Sequence, residues 1–299
     1  MKMFASALVV TLIASCAWAA GKGPAYATLE EAQQDPDFAY QGEYANDDIG
    51  VQVIALSGGQ FRAVKYQGGL PGAGWDGSDK TSVEGDRDAI NKVIEGLEKQ
   101  NRKSPTLEAA PPKSAIVLFD GSEESVKEHW KPGAKLSDDG FLMQGITSID
   151  TFQDFHLHVE FRLPYMPEAR GQARGNSGLY LQGRYEVQML DSFGLEGKDN
   201  ECGGIYKAAP PQVNMALPPL TWQTYDVDFT AAKFNDSGEK TAHAVVTVRH
   251  NGVVIHDKLE IPAKTPGGPV ATESAEPGPV FLQNHGDPVR YRNIWATRK

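Results

Sequence analysis

The chain has 299 residues, room for one large domain or two modest ones. Hydrophobic residues make up 40% and charged residues 23%, while 31 Gly and 19 Pro fall between short alternating runs, which excludes a helical bundle or coiled coil and favours strands and turns. Lys and Arg total 29 against 39 Asp and Glu, a net charge of −10 with no basic block, so neither nucleic acid nor an anionic lipid surface suits it as a partner.

The first element in chain order is a leader. Met1-Lys2 is a short basic start, the run from Phe4 to Ala14 is apolar but too short to span a bilayer as a mature helix, and Ala17-Trp18-Ala19 flanks a cleavage site with small residues. Residues 1–20 therefore read as a secretory signal, and the mature protein as periplasmic or extracellular. Ile13-Ala14-Ser15-Cys16 supports a second reading, a lipoprotein signal to residue 15 with a lipid anchor on Cys16. No later segment approaches membrane-spanning length. With Cys16 removed or lipidated, Cys202 has no disulfide partner and reads as a packed, inert thiol.

Residues 21–100 read as a small α+β module. A short polar helix is expected near 27–37 and a strand over Val51–Leu56. A Gly58-Gly59 turn leads to its partner, Gln60–Tyr66. The Gly-rich stretch from Gly68 to Gly77 lacks the Lys-Ser/Thr ending of a phosphate-cradling loop. Ala89, Ile90, Val93, Ile94 and Leu97 give Arg87–Gln100 the spacing of an amphipathic helix. No chemistry emerges from this module. The polar, Pro-ended stretch 101–113 reads as a linker, so 114–299 is expected to fold as a separate unit.

From Ser114 onward strand signals recur. Ala115–Phe119 ends at Asp120-Gly121; Phe155, Leu157, Val159, Phe161 and Leu163 alternate with polar residues; Tyr225, Val227 and Phe229 do the same. Asn251-Gly252 joins Ala244–His250 to Val253–His256 as a hairpin. Antiparallel strands of this length and number point to a mainly β fold, a jelly-roll sandwich.

The stretch from Asn176 to Asp191, taken as one strand with a period of two, presents Leu179, Leu181, Tyr185, Val187 and Met189 to a core. Its other face carries Asn176, Tyr180, Gln182, Arg184, Glu186 and Gln188. A solvated outer face favours Lys, Glu and Thr; a row of Tyr, amides and Arg suits a polyhydroxylated ligand. Gln283 and His285 sit at the end of another strand and are expected to join the site. Trp222, Trp130 and Tyr206 are candidate sugar platforms.

Residues 114–298 resemble the 3-keto-disaccharide hydrolase family. The resemblance lies in Ile116–Gly121, Gly175-Asn176-Ser177-Gly178-Leu179-Tyr180-Leu181-Gln182, Arg184-Tyr185-Glu186-Val187-Gln188-Met189-Leu190-Asp191, Trp222-Gln223-Thr224-Tyr225-Asp226, His250-Asn251-Gly252-Val253, Gly278–Gly286 and Arg290–Trp295. It implies a concanavalin-like jelly roll, related in shape to laminarinase-type glucanases, that hydrolyses glycosides already oxidised to a ketone at sugar C3. It also implies a separate sugar 3-dehydrogenase that supplies the substrate. The related glucanases carry Glu-x-Asp-x-x-Glu on one strand; here the spacing reads Glu186-x-Gln188-x-x-Asp191, which lacks the middle carboxylate and argues against direct glucanase chemistry.

A 3-keto sugar has an acidic C2 proton. Its removal, loss of the C1 substituent and readdition of water cleave the glycoside. That chemistry needs a base, a donor or cation for the enolate, and an acid at the leaving oxygen. The expected acid/base groups are Glu186 first, then His285, Asp191 and Glu160. Asn176, Tyr180, Gln182, Arg184, Gln188, Gln283 and Trp222 are expected to bind substrate. No cofactor is firmly implied; a divalent cation is left open, with no His cluster to mark its site. A non-catalytic carbohydrate-binding jelly roll and a direct glycosidase are the competing readings.

Overall fold

The computed structural model describes residues 22–299; the expected signal segment and Cys16 lie outside the described residues. The second half is a jelly-roll β-sandwich. One sheet has four strands in the order Tyr185–Leu190, Asn176–Leu181, Gly278–Leu282, Ile146–Phe152. The other runs Val253–Ile261, Ala244–His250, Trp222–Thr230, Phe155–Arg162, Arg290–Arg298, Ile116–Phe119, with Leu142–Met143 added beside Arg290–Arg298. All pairings between these strands are antiparallel.

Strand alternation decides which side chains meet between the sheets. Leu157, Val159 and Phe161 from the large sheet are fully buried against Leu179, Leu181, Tyr185, Val187 and Met189 from the small one. The intervening residues, His158 and Glu160 on one sheet and Tyr180, Glu186 and Gln188 on the other, therefore face opposite outer sides of the sandwich. The hairpin at Asn251-Gly252 is as expected, both residues at positive φ (49° and 79°).

The module ahead of it is a five-stranded antiparallel sheet, Thr81–Asp86, Gln60–Gln67, Ile49–Ala55, Gly42–Ala45, Glu98–Gln100, with two short helices. Leu29–Ala32 is opened by a Thr28/Glu31 capping box. The expected helix over Arg87–Gln100 is shorter, Arg87–Val93. It ends because Gly96 takes a φ of 76°, after which Glu98–Gln100 turns back to pair with Gly42–Ala45.

Among the described residues a single antiparallel bridge, Tyr26 with Tyr165, and no longer ladder joins the module to the sandwich, and the two share apolar packing. Tyr165 and Leu220 of the sandwich are buried in one core with Val51, Val53, Phe61 and Ile90. Phe193 packs with Ile54, Val64 and Tyr66. The stretch 101–113 is bound along its length: Arg102 pairs with the buried Glu43, Ser104 and Thr106 bond Thr224, Thr106 bonds Asp226, and the Glu108 amide donates to Glu160. A chain beginning at Lys113 is expected to keep a β circular-dichroism spectrum but to melt about 10 °C or more below the full protein. It uncovers Tyr165, Phe193 and Leu220, each worth about 1.5–3 kcal/mol when buried. A melting point equal to that of the full chain would show these contacts to be idle.

Candidate active site

The polar row expected on one strand lies on a hairpin. Asn176–Leu181 pairs with Tyr185–Leu190, and the three residues between them form the turn, Gln182 and Gly183 at φ of 52° and 63°. Tyr180 stands directly opposite Glu186, and Gly178 opposite Gln188. Tyr180, Glu186 and Gln188, together with Gln172, Tyr206, Lys207, Pro266, Gly267, Gln283 and His285, line a cavity of about 230 Å³ on the outer face of the small sheet.

Glu186 is 2% exposed. Its Oε2 accepts from the Tyr180 hydroxyl at 2.7 Å, and its amide donates to Thr265 Oγ1 at 2.8 Å. Burial raises its carboxyl to about 7, only partly offset by the Tyr180 hydrogen bond. The Tyr180 hydroxyl has one proton but two acceptors within 2.7 Å, Glu186 Oε2 and the Pro266 carbonyl, and it accepts from Gln283 Nε2 at 3.1 Å. With Glu186 protonated all three contacts hold at once: the carboxyl donates to Tyr180, which donates to Pro266. With Glu186 ionised, Tyr180 turns to the carboxylate and the Pro266 carbonyl loses its donor. The surroundings thus fit a carboxyl that passes between both states near neutrality.

Gly178 makes room for it. A Cβ there would collide with Glu186 Oε1. Gly178→Ala is therefore expected to push the carboxyl off its position, costing about 1–3 kcal/mol in stability and most of the turnover. Unchanged kinetics and melting would show that Glu186 has another accessible rotamer.

Gln188 bonds Gln172 Oε1 at 3.2 Å, and Gln172 Nε2 bonds the Asn200 carbonyl at 2.6 Å, which sets a row of amides along one wall. Asn176 is buried just beneath, its Nδ2 donating to the Gln172 carbonyl at 2.7 Å. Gln283 Oε1 is buried without a partner among the described residues. Tyr206 and Lys207 sit on a tight turn whose preceding residue, Ile205, bridges Val187; Lys207 holds a φ of 59°. Among the described residues Lys207 has no carboxylate partner; its ammonium lies 5.5 Å from the Tyr206 ring.

Several expected site residues are elsewhere. Gln182 and Arg184 are spent on a loop: Gln182 Nε2 donates to the Phe152 carbonyl, while Arg184 donates to Gln182 Oε1, Ser274 Oγ and the Thr272 and Glu276 carbonyls. Arg184 serves the cavity indirectly, by fixing the segment that brings Pro266 and Gly267 over it. Asp191 lies past the strand end, paired with Arg174 at 2.6 Å. Trp222 is on the opposite outer face, stacked by Arg162 and Arg292, and Trp130 is a core residue bonded to the Leu118 carbonyl. Cys202 is fully buried and burial pushes its thiol up to about 11, so it is unreactive.

Glu160 also faces the opposite side. Burial alone would raise its carboxyl. Hydrogen bonds from His158, Asn293, the Glu108 amide and Arg292 outweigh that and hold it at about 2. A carboxylate so firmly ionised and so fully engaged is a poor proton carrier. Gln172 and Lys207, absent from the expectations, lie in loops, where no period marks a direction. Among the described residues no group of three or more His, Cys, Asp or Glu is placed to hold a metal ion, and no helix is long and apolar enough to cross a membrane.

The 3-keto-alpha-glucoside-1,2-lyase-like domain family matches residues 114–297. A solved candidate glycosyl hydrolase of Parabacteroides distasonis is 34% identical with a TM-score of 0.56, over 63% of this chain and 85% of its own. Two others from that organism are 18% and 19% identical, with TM-scores of 0.44 and 0.41, each over 62% of this chain and 94% and 99% of their own. No protein of curated function matches. The match spans more than half of the chain and contains the hairpin and the cavity described above, so this chain belongs to the 3-keto-alpha-glucoside-1,2-lyase-like domain family and is a glycoside-hydrolase-like protein of jelly-roll fold.

Proposed function

We propose that the protein cleaves 3-keto-glycosides by elimination followed by hydration. The observation that carries this reading is Glu186, a lone buried carboxyl held at about 7 in a cavity of about 230 Å³. That volume lies below the ~300–1,000 Å³ of sites for drug-sized ligands and suits one sugar ring. Elimination from a 3-keto sugar needs one proton-transfer group at C2, and a base works best with a pKa near the working pH. A direct retaining glycosidase needs a second carboxylate ~5–5.5 Å away, whereas the cavity lining supplies amides, Lys207 and His285.

In the proposed sequence ionised Glu186 takes the C2 proton, and the C2–H electrons pass into an enolate on the C3 oxygen. Lys207, the cation of the cavity wall, stabilises that enolate. The enolate then re-forms the ketone, a C1–C2 double bond appears, and the C1–O bond breaks with a proton delivered by His285. Water adds across the double bond at C1. Gln283 Oε1, Gln188 and Gln172 receive the sugar hydroxyls. The mature protein is proposed to work outside the cytoplasm, after removal or lipidation of its leader, on sugar oxidised by a separate 3-dehydrogenase.

Incubation with 3-keto-trehalose and 3-keto-lactose beside the parent disaccharides tests the reading. Turnover is expected of the keto forms alone. Turnover of the parents would favour a direct glycosidase, and saturable binding with no turnover a carbohydrate-binding protein. On a 3-keto substrate kcat/KM is expected to rise with pH through an apparent pKa near 7, as Glu186 ionises. A profile flat between about pH 5 and 8 would remove Glu186 from the role of base.

A further inference from the structure

The module formed by residues 22–100 lies outside the family match, yet the walls of the cavity lead back to it. The Gln172 wall is carried by the loop between Leu163 and Asn176. That loop is tied to the module three times. Tyr165 is buried in the module's core and donates to Asp35 Oδ2 at 2.9 Å; Arg170 donates to the Leu56 carbonyl at 2.7 Å; Arg174 reaches the Ala55 carbonyl at 3.4 Å while holding Asp191. The loop that supplies Asn200, and then Tyr206 and Lys207, is tied at its start. Phe193 packs on Ile54, Val64 and Tyr66, the Gly194 backbone leaves room only for the Ile54 side chain, and Lys80 donates to the Leu195 carbonyl at 2.9 Å and pairs with Glu196 at 3.3 Å. At the His285 side, Lys22 donates to the His285 carbonyl at 3.0 Å and to Asp287 at 2.7 Å, and Asp287 in turn accepts from the Asn176 amide at 2.8 Å.

Gln172 and Asn200 meet across the cavity wall through one hydrogen bond between the two loops. The second loop is bonded back to the Glu186 strand only beyond Asn200, where the Gly203 and Tyr206 amides donate to the Gln188 and Glu186 carbonyls at 2.9 and 3.2 Å and the Gln188 amide donates to the Gly204 carbonyl at 2.9 Å, so the separation of the loop bases bears on the Gln172–Asn200 bond and not on Lys207. The base of each loop is held by the same end of the module's sheet, around Ile54–Leu56. Glu186, by contrast, sits in the middle of a strand ladder opposite Tyr180, and among the described residues no hydrogen bond joins either side chain to the module.

We infer that the N-terminal module is a positioning element of the binding site: through Leu56 and Lys80 it holds the two loops at the spacing that joins Gln172 to Asn200 and completes the sugar-binding wall. The inference rests on the proposed glycoside-cleaving reading only for its kinetic readout. Because the Leu56 and Lys80 ties bear on the Gln172–Asn200 wall, while Glu186 and the turn that carries Lys207 are held by the hairpin strand, loosening those two ties acts on KM and leaves kcat nearly unchanged.

The test uses the full chain with Arg170→Met, Lys80→Met and both together. None of these side chains lines the cavity. Hydrogen exchange followed by mass spectrometry reads the amides of residues 195–202, and steady-state kinetics on 3-keto-trehalose read the wall. The double variant is expected to exchange at least tenfold faster over 195–202, with exchange in Asn176–Leu181 unchanged, and to raise KM about tenfold, the equivalent of one lost polar contact, at constant kcat. Gln172→Ala is expected to raise KM similarly and to make the double variant's effect vanish when combined with it. Unchanged exchange over 195–202 in the double variant would overturn the inference whatever the kinetics, and so would a KM increase that simply adds to that of Gln172→Ala. Should the wild type turn over no 3-keto substrate, the proposed reaction fails while faster exchange over 195–202 still supports the positioning role.

Discussion

Glu186→Gln is expected to lower turnover of a 3-keto-disaccharide by about 10²–10⁴, the usual worth of a general acid/base group, while leaving the protein at least as stable as before. The second half of this expectation is what separates a catalytic from a structural role. The ordinary carboxyl value is 4.5 and burial lifts Glu186 to about 7. The folded protein therefore holds this proton more tightly than the unfolded chain. Below pH 4.5 both states are protonated and the group is neutral to stability. As pH rises from 4.5 through 7 the unfolded chain releases its proton first, and folding bears a growing penalty, about 3 kcal/mol at most at about 1.4 kcal/mol per pKa unit. Gln cannot ionise, so the variant escapes the penalty. Its melting temperature should match that of the wild type near pH 4.5 and exceed it by a few degrees at pH 8. An inactive variant that melts lower at both pH values would mean that Glu186 serves the fold. Met189→Asp, three residues along the strand and on the inner face, gives the contrast: an unpaired charge in the core should unfold the domain.

The sequence carried the face of the site better than its chain path. The stretch Asn176–Asp191 is interrupted by a turn, but Tyr180 and Glu186 are six residues apart and the turn between the paired strands has three. Even-numbered residues therefore stay on one side through the hairpin, and the period of two survives the break. The same logic failed inside the turn. Gln182 and Arg184 kept the parity of the site but left the ladder, and their side chains found carbonyls in neighbouring loops instead. Asp191 failed similarly, one residue past the end of its strand. Lys207 and Gln172 belong to loops whose direction is set by distant contacts, which no local pattern encodes. The two glutamates show the limit most plainly. Alternation put both Glu160 and Glu186 on polar faces, but only the order of strands in the two sheets decides that those faces look away from each other.

Glu160 should accordingly behave as the opposite of Glu186. Its carboxylate accepts from Arg292 Nε at 2.7 Å and Asn293 Nδ2 at 2.9 Å, and lies 3.5 Å from His158, whose other ring nitrogen is 2.6 Å from Asp226. Burial lowers the His158 imidazole, but these two carboxylates more than reverse that and raise it overall. Glu160→Gln keeps the volume and removes the charge, leaving Arg292 and His158 short of a partner. Breaking a buried pair in this way is expected to cost about 3–5 kcal/mol, with kcat of the folded protein within about twofold of wild type. The pH dependence again fixes the interpretation. Glu160 is held at about 2 against an ordinary 4.5, so its contribution is fully present above pH 4.5 and is lost as pH falls towards 2. The stability gap between wild type and Glu160→Gln should be widest near neutrality and close on acidification, whereas the Glu186→Gln gap opens on going alkaline and has the other sign. Urea denaturation of the two variants at pH 3.5, 5 and 8 measures both at once. If Glu160→Gln instead folds with unchanged stability and loses turnover, the outer face of the large sheet holds the chemistry, and the cavity around Glu186 is a binding site without a catalytic role.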